Sequence, residues 1–142
     1  MLSDIARHLE QLGVGPAVPV PPEFWSRYPG AREDLRWLVD NYAGASFSRL
    51  PGTEVDGEWR YFGAFLTPDE MERIVAWTVD SLPRGLLPIE EDPAGNLIVV
   101  EVGMGGTGRV LEYVHDAPRD RNLTVAAESL EEFMLSLRRA ED

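Results

Sequence analysis

The 142-residue chain contains no cysteine. Disulfide staples, thiolate metal sites and cysteine nucleophiles are therefore excluded, and the fold must rest on its own packing. Lysine is absent as well: all 13 basic residues are arginine, against 25 aspartates and glutamates, for a formal net charge of -12. A surface this negative repels phosphate backbones and anionic lipid, so neither nucleic acid nor membrane is an expected partner. A basic protein would instead be attracted over long range. Acidic balance also serves solubility and says nothing about fold. No run approaches the ~18 to 20 apolar residues of a membrane span. The opening segment MLSDIARHLEQLG mixes charged with apolar residues, unlike a signal peptide, and a cytoplasmic location is expected.

What is present is a hydrophobic content of 44%, enough for a real core in one domain spanning residues 1–142. Leu2, Ile5, Leu9 and Leu12 step at helical spacing behind Ser3 as N-cap, and Gly13 ends that helix. Residues 14–22 hold Pro16, Pro19, Pro21 and Pro22, which fix φ and remove donors, so this stretch reads as an extended surface strap. A second helix is predicted over 31–43, with Leu35, Leu38, Val39 and Tyr42 on its apolar stripe and Gly44 at its C-terminal cap. Residues 46–56 are polar and turn-rich. Residues 58–66 alternate as a strand, with Trp59, Tyr61, Gly63 and Phe65 on one side and Arg60, Phe62, Ala64 and Leu66 on the other. Aromatics on both faces predict an interior or covered strand.

Thr67-Pro68-Asp69-Glu70 is a capping box with proline at the first helical position, and Leu66 and Met71 are placed as a hydrophobic staple. That third helix stops at Leu82-Pro83. Strand spacing then takes over: a short run at 86–89, a tight turn at 92–96 with Gly95 free to adopt positive φ, an almost wholly apolar strand at 97–102, and a strand at 109–114. The loop 103–108 joins the last two as a hairpin. One more strand is predicted over 123–126, and Ser129-Leu130-Glu131-Glu132 is a second capping box launching a final helix, with Arg138 and Arg139 at its negative end.

Several features suggest chemistry, and each has a plainer reading. Residues 103–108 spell G-x-G-x-x-G, but a dinucleotide site needs that loop to open a helix, and here a strand follows. Glu90, Glu91 and Asp92 are consecutive in an extended segment, so their side chains alternate in direction and do not converge on a metal; a solvated acidic rim is favoured. His8 and His115 read as surface or hydrogen-bonded histidines rather than general bases. No serine lies in a nucleophile-elbow context. Of the four tryptophans, Trp37, Trp59 and Trp77 are expected to pack on core or helix edges, and Trp25, after the strap, is the one expected to be exposed. No catalytic residue, cofactor or metal is assigned.

Taken in order, Leu87-Pro88-Ile89, Asp92-Pro93-x-Gly95-Asn96-Leu97-Ile98, Gly108-Arg109-Val110 with Tyr113-x-His115-Asp116, and Ala127-x-Ser129-Leu130-Glu131-Glu132-Phe133 resemble the SUKH superfamily, the Smi/Knr group. Upstream, Pro22-Glu23-Phe24-Trp25 and Asn41-Tyr42-Ala43-Gly44 depart from the family's usual steps, which marks a divergent member. The resemblance implies an α+β domain with an antiparallel sheet of about five strands and helices mainly on one side. It also implies a non-catalytic protein-binding module: an immunity protein that neutralises a cognate polymorphic or contact-dependent toxin. An intracellular scaffold or regulator related to cell-wall-synthesis proteins is the alternative, and a small hydrolase a remote one. With the net charge, the expected partner is a basic toxin domain such as a nuclease. Expected contacts are Glu90, Glu91, Asp92 and Asp116 at the sheet edge, Glu54, Asp56 and Glu58 in the polar middle segment, and Trp25.

Overall fold

The computed structural model describes residues 2–103 and 107–140. Helix α1 (Leu2–Gln11) already contains Ser3, which is therefore not its cap, and Gly13 ends the turn at φ 81°. The stretch 15–21 runs without helix or strand and is tied to residues 43–46 by Gly15 N–H to Ser46 O (2.7 Å) and Val18 N–H to Ala43 O (2.8 Å). It leads into a short 3-10 helix (Pro22–Arg27) and then α2 (Glu33–Tyr42). Leu35, Leu38 and Val39 of α2 are buried.

Helix α3 (Pro68–Trp77) starts at the capping box read in the sequence: Glu70 N–H donates to Thr67 Oγ1 (3.1 Å) and Thr67 N–H to Glu70 Oε1 (2.9 Å). Both partners of the staple, Leu66 and Met71, are buried. Thr67→Ala leaves the Glu70 amide without its acceptor and is expected to cost about 1 kcal/mol, read as a lower denaturant midpoint at unchanged m. Helix α4 (Leu130–Ser136) begins where Glu132 N–H donates to Ser129 Oγ (3.1 Å).

The α+β class with antiparallel pairing is observed, and the strands divide between two sheets. The larger runs β3 (Leu86–Glu91), β4 (Leu97–Glu101), β5 (Val110–Tyr113), β6 (Leu123–Ala127) in sequential antiparallel order. Both of its faces are covered. Leu87, Ile98, Val100 and Val110 meet Ile5, Leu9, Leu38, Phe133 and Met134 of the helices, while Leu97, Val99, Leu111 and Tyr113 meet Leu82 and the half-buried Ile74.

The smaller sheet has the order β2-β1-β7, with β1 (Pro51–Val55), β2 (Glu58–Tyr61) and β7 (Arg138–Arg139). Three sequence expectations are corrected here. The polar segment 46–56 contains a strand, paired to β2 through a turn with both Asp56 (φ 52°) and Gly57 (φ 80°) left-handed, the geometry that twisted hairpins select. Arg138 and Arg139 form a strand on β1 instead of closing α4. The strand expected over 58–66 ends at Tyr61 and lies at a sheet edge. Beyond it the backbone serves three elements in turn, Phe62 N–H to Pro51 O, Phe65 N–H to Ala45 O and Leu66 N–H to Ile89 O, so it crosses the core rather than pairing along one neighbour.

Candidate functional site

One charged side chain joins the two sheets. Arg60 follows Trp59 on β2 and faces inward with Thr53, its partner on β1; it is only 8% exposed. Its Nη2 donates to Glu90 Oε1 (2.7 Å) on β3, its Nε to Glu112 Oε2 (2.8 Å) on β5, and its Nη1 to Tyr61 O. Asp92 Oδ2 stands 4.0 Å from Nη2. Glu90 and Glu112 are both register partners of Ile98 on the intervening strand, so the guanidinium spans that strand.

A β-bulge between Pro88 and Glu90 decides this arrangement. Without the extra residue, alternation would turn Glu90 away from the face that carries Leu87. With it, Glu90 pairs opposite Ile98 and points at Arg60, and its second oxygen accepts Gly63 N–H (3.1 Å). At 1% exposure, Glu90 is pushed above the usual carboxylate range by burial, which outweighs Arg60 and the Gly63 amide. Burial pulls Arg60 the other way, but Glu90, Asp92 and Glu112 together hold its pKa above the ordinary value. One guanidinium thus faces three carboxylates.

The turn after β3 is built by Asp92, whose Oδ1 accepts the N–H groups of Ala94 and Asn96, both at 2.9 Å, with Gly95 at φ 88°. His115 lies over this turn. Its Nε2 is 2.6 Å from Ala94 O, and since a carbonyl only accepts, Nε2 carries the proton; its backbone N–H donates to Asn96 Oδ1 (3.2 Å). His8 Nε2 donates in the same way to Leu137 O (2.6 Å), tying α1 to the end of α4. Both histidines hold backbone.

The structure gathers some of the expected contact residues and separates others. Glu58 is two residues from Arg60 on the same face of β2, so its Cα lies about 7 Å from that of Arg60; Asp92 faces the same guanidinium, and the exposed Asp116 follows His115 beside the same turn. Asp56 occupies the hairpin tip, and Glu54 is on the outer face opposite Trp59. Glu91 is exposed on the other face of the sheet, beside Trp77. Glu90 is corrected from acidic rim to interior. Trp25 is corrected too: it is 8% exposed, donates Nε1–H to Asp40 Oδ1 (2.9 Å) and meets Phe24 edge-on at 5.0 Å. The exposed tryptophan is Trp77, at 84%, where the last turn of α3 faces solvent.

Sequence reasoning missed Arg60. The available signal was its place on the same strand side as Phe62, an arginine among inward-facing aromatics, which burial tolerates only with partners. In the G-x-G-x-x-G segment, Met104, Gly105 and Gly106 lie outside the described residues. On either side of it β4 and β5 pair antiparallel, so a strand and not a helix follows. Glu101 accepts from Thr107 Oγ1 (2.5 Å) and Arg109 Nη2 (3.2 Å), and hydrogen bonds from the Arg109 and Thr107 side chains bring its pKa down to about 2.

Helices packed on two antiparallel sheets, with a buried arginine-carboxylate clasp between the sheets, define an α+β domain. A model of the SMI1 / KNR4 family (SUKH-1) matches residues 32–136, and the chain belongs to this family. No curated protein matches the chain in sequence. The family as a whole is generally non-catalytic and fits an immunity-like or regulatory module. Among the described residues, no helix is long and apolar enough to cross a membrane.

Proposed function

We propose that this chain is a non-catalytic binding domain of the immunity type, acting in the cytoplasm to neutralise a basic toxin domain by tight association. Family membership supports a protein-binding role. The observation that carries the choice of partner is the concentration of carboxylates around the joint between the sheets. Asp92 and Glu112 face a single arginine there together with the buried Glu90, the exposed Glu58 lies on the same face of β2 as that arginine, Asp116 follows His115 beside the Asp92 turn, and Asp56 occupies the hairpin tip, in a chain of net charge -12 without lysine. Such a field accelerates encounter with a cationic surface and orients it before contact.

The test is to sequence the reading frames adjoining this one and to co-express the chain with a toxin domain encoded there; an isolated locus with no such neighbour counts against the reading. Protection of the host and a stable complex are expected, with an association rate falling about tenfold or more as ionic strength rises from ~0.05 to ~0.5 M, because exposed charges are screened. Absence of both complex and protection overturns the reading. Complex formation at a rate indifferent to salt removes the electrostatic steering.

A further inference from the structure

The outer face of the small sheet displays the chemistry of its own ligand. Register places Glu54, Trp59, Tyr61, Gly52 and Arg138 on this one face. The Trp59 indole lies flat on the strand because position 52 has no side chain; a Cβ there would stand 2.7 Å from the ring. Over the indole sits the Arg138 guanidinium, 4.7 Å from the ring centroid, paired with Glu54 at 3.6 Å. An aromatic ring beneath a guanidinium, with a carboxylate beside it, is an arginine site filled from within the chain. Next to it Tyr61 meets Trp59 edge-on at 6.0 Å and keeps 49% of its surface exposed, and Leu50 borders the patch in solvent. Glu54, on this same face, is exposed and lies diagonally across the strands from Tyr61, and Asp56 is exposed at the hairpin tip.

We propose that this face docks an arginine-bearing segment of a basic protein partner, a guanidinium stacking on Tyr61 with Glu54, diagonal to it across the strands, as counter-charge, as Arg138 stacks on Trp59 beside the same carboxylate. The inference rests on the binding role proposed above and names the surface and the side chain it reads. Tyrosine and tryptophan anchors beside Glu54, with Asp56 at the adjoining hairpin tip, suit a cationic partner better than the Trp77 surface, where Arg73 lies among Glu70 and Glu91.

The test uses two synthetic peptides of equal length and charge, alternating glycine with arginine or with lysine, titrated into the folded chain at fixed salt and followed by amide and indole NMR shifts. The arginine peptide is expected to bind about two- to fivefold tighter, the effect of guanidinium stacking at an exposed ring, with shifts centred on residues 50–61 and 138. Tyr61→Ala should abolish the preference, Tyr61→Phe should retain it, and Trp77→Ala should leave it unchanged. Equal binding of the two peptides, a preference that survives Tyr61→Ala, or shifts centred on Trp77 overturn the proposal. Protection by a chain that does not discriminate the peptides keeps the immunity reading and discards this surface; discrimination without protection does the reverse.

Discussion

Replacing Arg60 with leucine is expected to destabilise the fold by about 3 to 5 kcal/mol, the usual effect of removing one partner from a buried ion pair. The cost arises from what stays behind. Glu90, at 1% exposure, would keep only the Gly63 amide to compensate its charge, and Glu112 would lose a 2.8 Å hydrogen bond. Denaturant unfolding measures the loss, and its pH dependence identifies the cause. A carboxyl whose folded pKa lies above its unfolded value contributes stability that is complete below the unfolded value and is lost as pH rises through the folded one. Glu90 is already shifted upward by burial, and removing Arg60 takes away the largest opposing influence. The deficit of Arg60→Leu relative to wild type should therefore be greatest at neutral pH and shrink on acidification toward the unfolded carboxyl value. A deficit constant across that range would mean that lost packing of the arginine stem, not stranded charge, is responsible. The double variant Arg60→Leu with Glu90→Leu should recover part of the loss, because replacing both members of a buried pair by apolar groups is often neutral.

Phe62→Ala is expected to cost about 3 to 5 kcal/mol through the cavity it leaves. The ring is 1% exposed and sits among Phe65 at 5.0 Å, Phe133 at 6.0 Å and Phe47 at 6.3 Å, where the chain passes from the small sheet into the main core. Rings from two other segments and from its own lean on it, so little collapse into the void is available. Thermal unfolding should show a large fall in Tm, against a fall of less than half that size for Phe62→Leu, which retains most of the buried volume. Similar losses for the two would show that the aromatic geometry, rather than the filled volume, is what the site requires.

The elements legible in the sequence are those whose signals are local. The capping box at Thr67 needs only residues 67 to 70, and the Asp92 turn needs only its own side chain and Gly95; both are found as read. The order of β3 to β6 follows from apolar runs separated by turns. Asp56-Gly57 was an equally local hairpin signal, but β1 around it has too few apolar residues to declare itself: it gains its partners from β2 and from β7, more than eighty residues later. The tryptophans show the same limit. Trp25 is buried because Asp40, fifteen residues on, offers an acceptor, and Trp77 is exposed because, among the described residues, none covers the last turn of α3.

By itself the sequence determined the chemistry available here: no thiol, no lysine, a strongly acidic surface, and a series of caps, turns and strands whose spacing marks the family. These follow from composition and from interactions within a few residues, which the chain carries wherever it is placed. Tertiary structure alone decided which acids face solvent. A single bulged residue turns Glu90 inward, and Arg60, thirty residues earlier in the chain, meets it there at 2.7 Å. Burial and pairing are properties of the space between segments, and so the division of the carboxylates into a buried clasp and a solvent-exposed set was settled only when the two sheets came together.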